Sequence, residues 1–188
     1  NYTFGGGIPF GKILEVAGEE SSGKSLIAYN FAYTTQQLGG HVIWVDAEQA
    51  WMNSWAQENG VGPNGVTVIR DTRIENIADA LADVAIYWRS QLTHNEPILL
   101  VVDSIAAMDC ADNIDSKMVD GKSEMGGRAK ALYKFFRIRS ELFYKLGITQ
   151  IYINQLRTAL NVGFGKDNTC LHYDTIIPFV DGTSMKIG

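Results

Sequence analysis

Gly18-Glu19-Glu20-Ser21-Ser22-Gly23-Lys24-Ser25 decides how the rest of the chain is read. The octet fits G-x-x-x-x-G-K-[ST]. In such a loop backbone N–H groups wrap around phosphates, the lysine reaches the β- and γ-phosphates, and the final hydroxyl helps to hold Mg²⁺. Its setting agrees. Lys12-Ile13-Leu14-Glu15-Val16-Ala17 is an apolar run that reads as a strand just before the loop. Lys24 to Leu38 reads as a helix just after it, stopped by Gly39-Gly40. The pattern predicts a nucleoside triphosphate site built on Gly18 to Ser25.

Working outward, apolar runs alternate with helical patterns. His41 to Asp46, Val66 to Arg70, Ile98 to Asp103 and Thr149 to Asn154 read as buried strands. Ile74, Ile77, Ala78, Leu81, Ala85, Trp88 and Leu92 recur at helical spacing, with Asp71 or Thr72 as the expected cap. Arg128 to Leu146 reads as a second long helix closed by Gly147. This alternation predicts an α/β fold, a mostly parallel sheet covered by helices on both faces. The Trp and Tyr residues on these helices are expected in the core, most of them without a function. Asp109 to Gly126 is polar without apolar period, and Leu156 to Thr169 contains Gly163 and Gly165; both read as long loops. Each follows a strand at the carboxyl end of the sheet, where open α/β sheets bind ligands.

Composition bounds the rest. The 188 residues suffice for one well-buried domain with a small appendage, and 46% hydrophobic with 20% charged residues fits a globular chain. No apolar run approaches a membrane span and the start has no signal-peptide pattern, so no membrane partner and a cytoplasmic setting are expected. A net charge of −5 argues against a globally basic nucleic-acid binder but leaves room for a local basic patch. Cys110 and Cys170 are too few and too far apart for a disulfide framework or a zinc site. The start at Asn1, without methionine, leads us to expect a fragment of a longer reading frame.

Two acids complete the phosphate chemistry. Asp103 ends the strand Ile98 to Asp103, where a carboxylate sits near Mg²⁺, usually through water. Glu48 follows the strand His41 to Asp46, placed to orient and deprotonate an attacking water.

These motifs resemble those of RecA-like recombinases. Gly5-Gly6-Gly7-Ile8-Pro9-Phe10-Gly11, the GEESSGKS loop, Asp46-Ala47-Glu48, Val101-Val102-Asp103-Ser104 and Asn154-Gln155-Leu156-Arg157 occur in that family's order and spacing over residues 1 to about 169. The wording is similar to the phage recombinases called UvsX-like. The resemblance implies an ATP- and Mg²⁺-dependent recombinase that binds single-stranded DNA, exchanges strands and assembles into a homo-oligomeric filament. It makes Glu48 the catalytic base and Gln155 the sensor of the γ-phosphate. It places Trp55 on adenine, where the family more often has Tyr. It names the two long loops as DNA-binding. Lys117, Lys122, Arg128, Lys130, Arg137, Arg157 and Lys166 would meet phosphates, Gly163 and Gly165 would allow close backbone approach, and Leu160 and Phe164 would wedge beside bases. A RecA-fold motor of helicase or clock type is the alternative, as is a simply truncated recombinase.

Residues 170–188 depart from that pattern. Cys170-Leu171-His172-Tyr173-Asp174-Thr175-Ile176-Ile177, then Asp181-Gly182 and Lys186-Ile187-Gly188, resemble the amino-terminal block of an intein. The resemblance implies that the Cys170 thiol attacks the Thr169 carbonyl, with later intein blocks supplied by a second polypeptide. The expected division is a recombinase fragment at 1–169 and a split-intein segment at 170–188, joined to a C-terminal part by trans-splicing, with little activity beforehand. Two β-rich runs around Asp181-Gly182 suggest a hairpin, with Pro178 confining the first to an edge.

Overall fold

The strands are set by the apolar runs, because residues buried on both faces of a parallel sheet cannot alternate with polar ones. In a computed structural model that describes residues 7–119, 126–160, 169–173 and 183–187, with side chains in 7–115 and 126–155, five such strands form. They are β1 (Ile13–Gly18), β2 (His41–Asp46), β3 (Val66–Ile69), β4 (Ile98–Asp103) and β5 (Ile148–Leu160). They lie side by side in the order β3-β2-β4-β5-β1, every neighbouring pair parallel. Between them run α1 (Lys24–Gln37), α2 (Asn53–Glu58), α3 (Ile74–Gln91), α4 (Ala111–Val119) and α5 (Gly127–Lys145).

Two apolar layers sandwich the sheet, as the alternation predicts. One packs Ile43, Val45, Leu100, Val102 and Tyr152 against Ile77 and Leu81 of α3 and Phe136 and Phe143 of α5. The other packs Val16, Trp44, Val101 and Ile153 against Ala28, Tyr29 and Ala32 of α1 and Ala56 of α2. Tyr29, Trp44 and Trp51 form a core aromatic cluster, the Tyr29–Trp44 ring centroids 4.7 Å apart. Gly40 leads into β2 against Pro97, whose carbonyl oxygen would lie only 2.1 Å from any added Cβ. That approach lets His41 N–H bond the Pro97 carbonyl at 3.0 Å. Asp71 does not cap α3 directly. Its carboxylate accepts the Arg73 N–H at 2.8 Å and Asn76 Nδ2 at 2.9 Å, tightening the turn that enters the helix.

Four expectations need correction. The helix aromatics are not uniformly core, since Tyr33, Tyr87, Tyr133 and Tyr144 are exposed. The segment read as one loop from Asp109 to Gly126 contains α4, held by polar contacts that an apolar period does not register. Asp109 accepts the Cys110 N–H and Asn113 Nδ2, each at 2.9 Å, Glu75 accepts the Ala111 N–H at 3.0 Å, and Arg73 pairs with Asp115 at 2.9 Å. Residues 120–125 lie outside the described part. The segment read as a loop from Leu156 is, as far as Leu160, an extension of β5. It pairs antiparallel with β6 (Thr169–Tyr173), so that Ala159 opposes Cys170 and Leu160 opposes Thr169. Finally, the two described strands of the tail do not pair with each other. β7 (Thr183–Ile187) runs parallel to β1, and β6 runs with β5. The outer edge of β1 offers a row of backbone donors and acceptors, and such an edge competes with local pairing for any nearby strand. Residues 174–182, including Pro178, the Asp-Gly turn and most of the first run, lie outside the described part. No helix among the described residues is long and apolar enough to cross a membrane.

Candidate functional site

The carboxyl ends of β1, β2, β4 and β5 converge on one cleft of about 390 Å³. The phosphate loop leaves β1 and enters α1 through Gly23, whose φ of +88° lies in the left-handed region that favours glycine. The loop thereby places Glu20, Ser21 and Gly23 on the cleft, directly ahead of a helix N-terminus, where N–H groups favour anions. Lys24 opens that helix with only 8% of its surface exposed, and its ammonium donates to the Glu19 carbonyl. Ser25, one residue on, donates its hydroxyl to Asp103 Oδ2 at 2.8 Å. The hydroxyl and the carboxylate predicted to share a metal ion therefore touch each other across the cleft.

Register explains the acids. Asp46 and Asp103 are paired residues at the ends of β2 and β4. Asp46 folds the next segment back, accepting the Ala50 N–H at 2.8 Å and the Trp51 N–H at 3.1 Å, with Arg70 Nε 3.4 Å away. The Asp103 carbonyl accepts the Ala47 and Glu48 N–H groups at 2.9 and 3.3 Å. Glu48 thus projects over the end of β4, where its Oε1 accepts Gln155 Nε2 at 2.9 Å and the Ser104 hydroxyl. Gln155 is brought there by β5, next to Asn154, whose amide donates to Glu15 Oε1 at 2.9 Å.

Charge is concentrated here. Burial pushes the Asp103 carboxyl up from 3.8 to about 6, with Glu48 and Asp46 repelling its ionised form, while the Ser25 hydrogen bond and Lys24 act in the opposite direction. An oxygen pair of one hydroxyl and one carboxylate, in a field this acidic, suits Mg²⁺, which prefers oxygen and is held by one or two protein groups plus phosphates. Among the described residues no cluster of three His, Cys, Asp or Glu competes as a metal site. Trp55 stands on α2 at the rim of the same cleft, 46% exposed, with an aromatic face available to a base.

The structure thus brings together Glu20, Ser21, Gly23, Lys24, Ser25, Glu48, Trp55, Asp103 and Gln155 around one cavity. Gly18, Glu19 and Ser22 complete the loop itself. The residues assigned to DNA are placed less uniformly. Lys130 and Arg137 lie exposed on α5. Arg128 is instead turned inward: its guanidinium donates to the carbonyls of Met108 at 2.8 Å, Ile105 at 3.0 Å and Ala106 at 3.2 Å. This clamps the 3₁₀ turn that follows β4 and corrects the expectation of a phosphate contact there. Lys117, Arg157 and Leu160 lie on described backbone only, and Lys122, Gly163, Phe164, Gly165 and Lys166 lie outside the described residues. Sequence reading missed Ser104, although its place directly after the strand-ending Asp103 was the available signal.

A phosphate loop between the first strand and first helix of a parallel sheet, with a carboxylate on the adjoining strand end, defines a P-loop nucleotide-binding protein. The particular family follows from comparison. The profile described as RecA N-terminal domain matches residues 2–179, and the chain belongs to the RecA family. It is 33% identical over 183 residues to protein RecA of Mycobacterium leprae, covering 97% of this chain and 24% of that protein. It is 35% identical over 164 residues to protein RecA of Corynebacterium jeikeium, covering 87% and 41%. With protein RecA of Clostridium beijerinckii it shares 36% over 167 residues, covering 87% and 43%. The chain therefore spans less than half the length of these relatives.

Proposed function

We propose that this chain is the ATP-binding, amino-terminal part of a DNA recombinase. The observation that carries the reading is the meeting of Lys24, Ser25, Asp103, Glu48 and Gln155 on one cleft, from four different strand ends. Loop N–H groups and Lys24 bind the triphosphate, Ser25 and Asp103 hold Mg²⁺, and Trp55 packs on the base. Bound Mg²⁺ neutralises phosphate charge as the terminal group is displaced. Glu48 accepts the proton of the water that attacks the γ-phosphorus. Gln155, joined to Glu48 on one side and leading into the β5 extension on the other, couples the nucleotide to single-stranded DNA. Lys130, Arg137, Arg157 and the second-loop residues supply DNA contacts. Filament assembly and strand exchange belong to the completed protein in the bacterial cytoplasm, where a phage of the UvsX-like type would place it. Membership of the RecA family favours this over the motor alternative.

The tail we read as the start of a split intein, with the boundary at Thr169/Cys170. Against this, the family profile itself continues to residue 179. In the proposed step the Cys170 sulfur bonds the Thr169 carbonyl carbon, the peptide C–N bond breaks, and the thiol proton passes to the freed amine.

The nucleotide reading is tested on the chain joined to a C-terminal partner fragment. Lys24→Ala in the joined protein abolishes ATP hydrolysis, whereas Glu48→Gln keeps nucleotide binding and loses turnover. Equal loss of binding in the two variants would overturn the division of roles.

A further inference from the structure

We propose that Ser104 is a positioning residue for Glu48: its hydroxyl, donated to the same carboxylate oxygen that Gln155 contacts, holds the base over the nucleotide cleft. The inference rests on Glu48 being the base. Its backbone is already pinned, since the Glu48 N–H bonds the Asp103 carbonyl at 3.3 Å. Its side chain is another matter. Glu48 is exposed, and a long exposed carboxylate samples many rotamers unless something holds it. A neighbouring negative charge also pushes it away, for Glu48 is one of the groups that disfavour ionised Asp103. Left to these two effects, Glu48 would swing into solvent, and a base displaced by about 1 Å loses much of its rate advantage.

The two donors to Glu48 Oε1 differ in character. Ser104 is completely buried, at 0% exposure, and sits between the end of β4 and the 3₁₀ turn Ile105–Ala107. Arg128 clamps that turn through the Ile105 and Ala106 carbonyls, so the serine is anchored from both sides. Gln155 lies at the point where β5 leaves the parallel sheet and begins its pairing with β6, and its amide bond to Glu48 is solvent-exposed. Ser104 is therefore the fixed tether. Gln155 is the donor free to move to another acceptor without releasing the base. Adjacency adds economy: one strand end carries both Asp103 and the tether of Glu48, which sets the spacing of the two acids.

The first measurement needs no turnover. Three-bond carbon couplings about χ1 of Glu48, in the isotopically labelled full chain, report one rotamer in the parent and averaging in Ser104→Ala. Ser104→Cys, similar in size with a weak donor, carries the same test if loss of the hydroxyl unfolds the chain. The second uses the joined protein. Ser104→Ala lowers kcat by about tenfold or more while ATP affinity stays within about twofold, and in a Glu48→Gln background it has no further effect, because groups acting as a unit are not additive. An unaveraged Glu48 rotamer in Ser104→Ala, or an equal loss of kcat in the Glu48→Gln background, overturns the proposal. If Glu48→Gln alone leaves turnover intact, it is the assignment of the base that fails, and the rotamer measurement still decides the tether.

Discussion

Replacing Asp103 by Asn separates what the nucleotide site costs the fold from what it does for the ligand. Burial, with repulsion from Glu48 and Asp46, raises this carboxyl from 3.8 to about 6. The folded state holds the Asp103 proton more tightly than the unfolded chain does, so ionisation disfavours folding. That cost is absent below 3.8, grows as pH rises toward about 6, and is complete above it. A rise of ~2 units corresponds to about 3 kcal/mol. Asn keeps an oxygen for the Ser25 hydroxyl, now 2.8 Å from Asp103 Oδ2, but adds an amide that needs an acceptor. We therefore expect a net gain of about 2 kcal/mol at pH 8 once about 1 kcal/mol is allowed for the amide, falling to roughly a third of that at pH 5. Urea unfolding without nucleotide measures it, as a midpoint raised by about 1 M for an m-value near 2 kcal/mol/M. Mg²⁺-dependent ATP binding should be lost in the same variant. A destabilised Asp103→Asn at pH 8, or a gain that does not change with pH, would refute the electrostatic account of this site.

Arg128→Ala should cost the fold about 2 kcal/mol in urea unfolding, because three carbonyls near the end of β4 lose a charged donor; a change confined to DNA affinity would restore the phosphate-contact reading. Arg157→Ala in the joined protein should weaken single-stranded DNA binding and reduce the salt slope by about one, and an unchanged titration would place the β5 extension away from DNA. With a cognate C-terminal intein fragment, added thiol should release a species ending at Thr169, seen by mass spectrometry. Cys170→Ala should abolish release and ligation while Cys110→Ala leaves both intact; continued ligation by Cys170→Ala would remove the intein.

The buried strands and three long helices were legible in the sequence. A parallel sheet demands continuous apolar runs, and α1, α3 and α5 bury a wide stripe that recurs every three or four residues. Lys24, Ser25, Glu48 and Asp103 could be singled out for a different reason: each lies at or just beyond a strand end, and parallel strands put all such ends on one edge of the sheet, whereas Gln155, which lies within β5, was pointed to only by the family resemblance. α4 was not legible, because Asp109, Glu75 and Arg73 hold it through polar contacts from elements 36 to 42 residues apart in part. Arg128 was misjudged for a related reason. A basic residue beside a DNA-binding segment has the same local signature whether it faces solvent or clamps carbonyls, and only the packing of α5 under the turn Ile105–Ala107 turns it inward. Composition and motif by themselves determined a sheet with helices on both faces and put a phosphate-loop sequence between its first strand and first helix. The tertiary structure alone decided that Ser104 and Gln155 meet on one oxygen of Glu48, 56 and 107 residues apart in the chain. It also decided that the strands of the tail pair with β1 and β5 and not with each other. Such pairings depend on which edges and donors are left unsatisfied once the sheet has assembled, and no local pattern of residues carries that information.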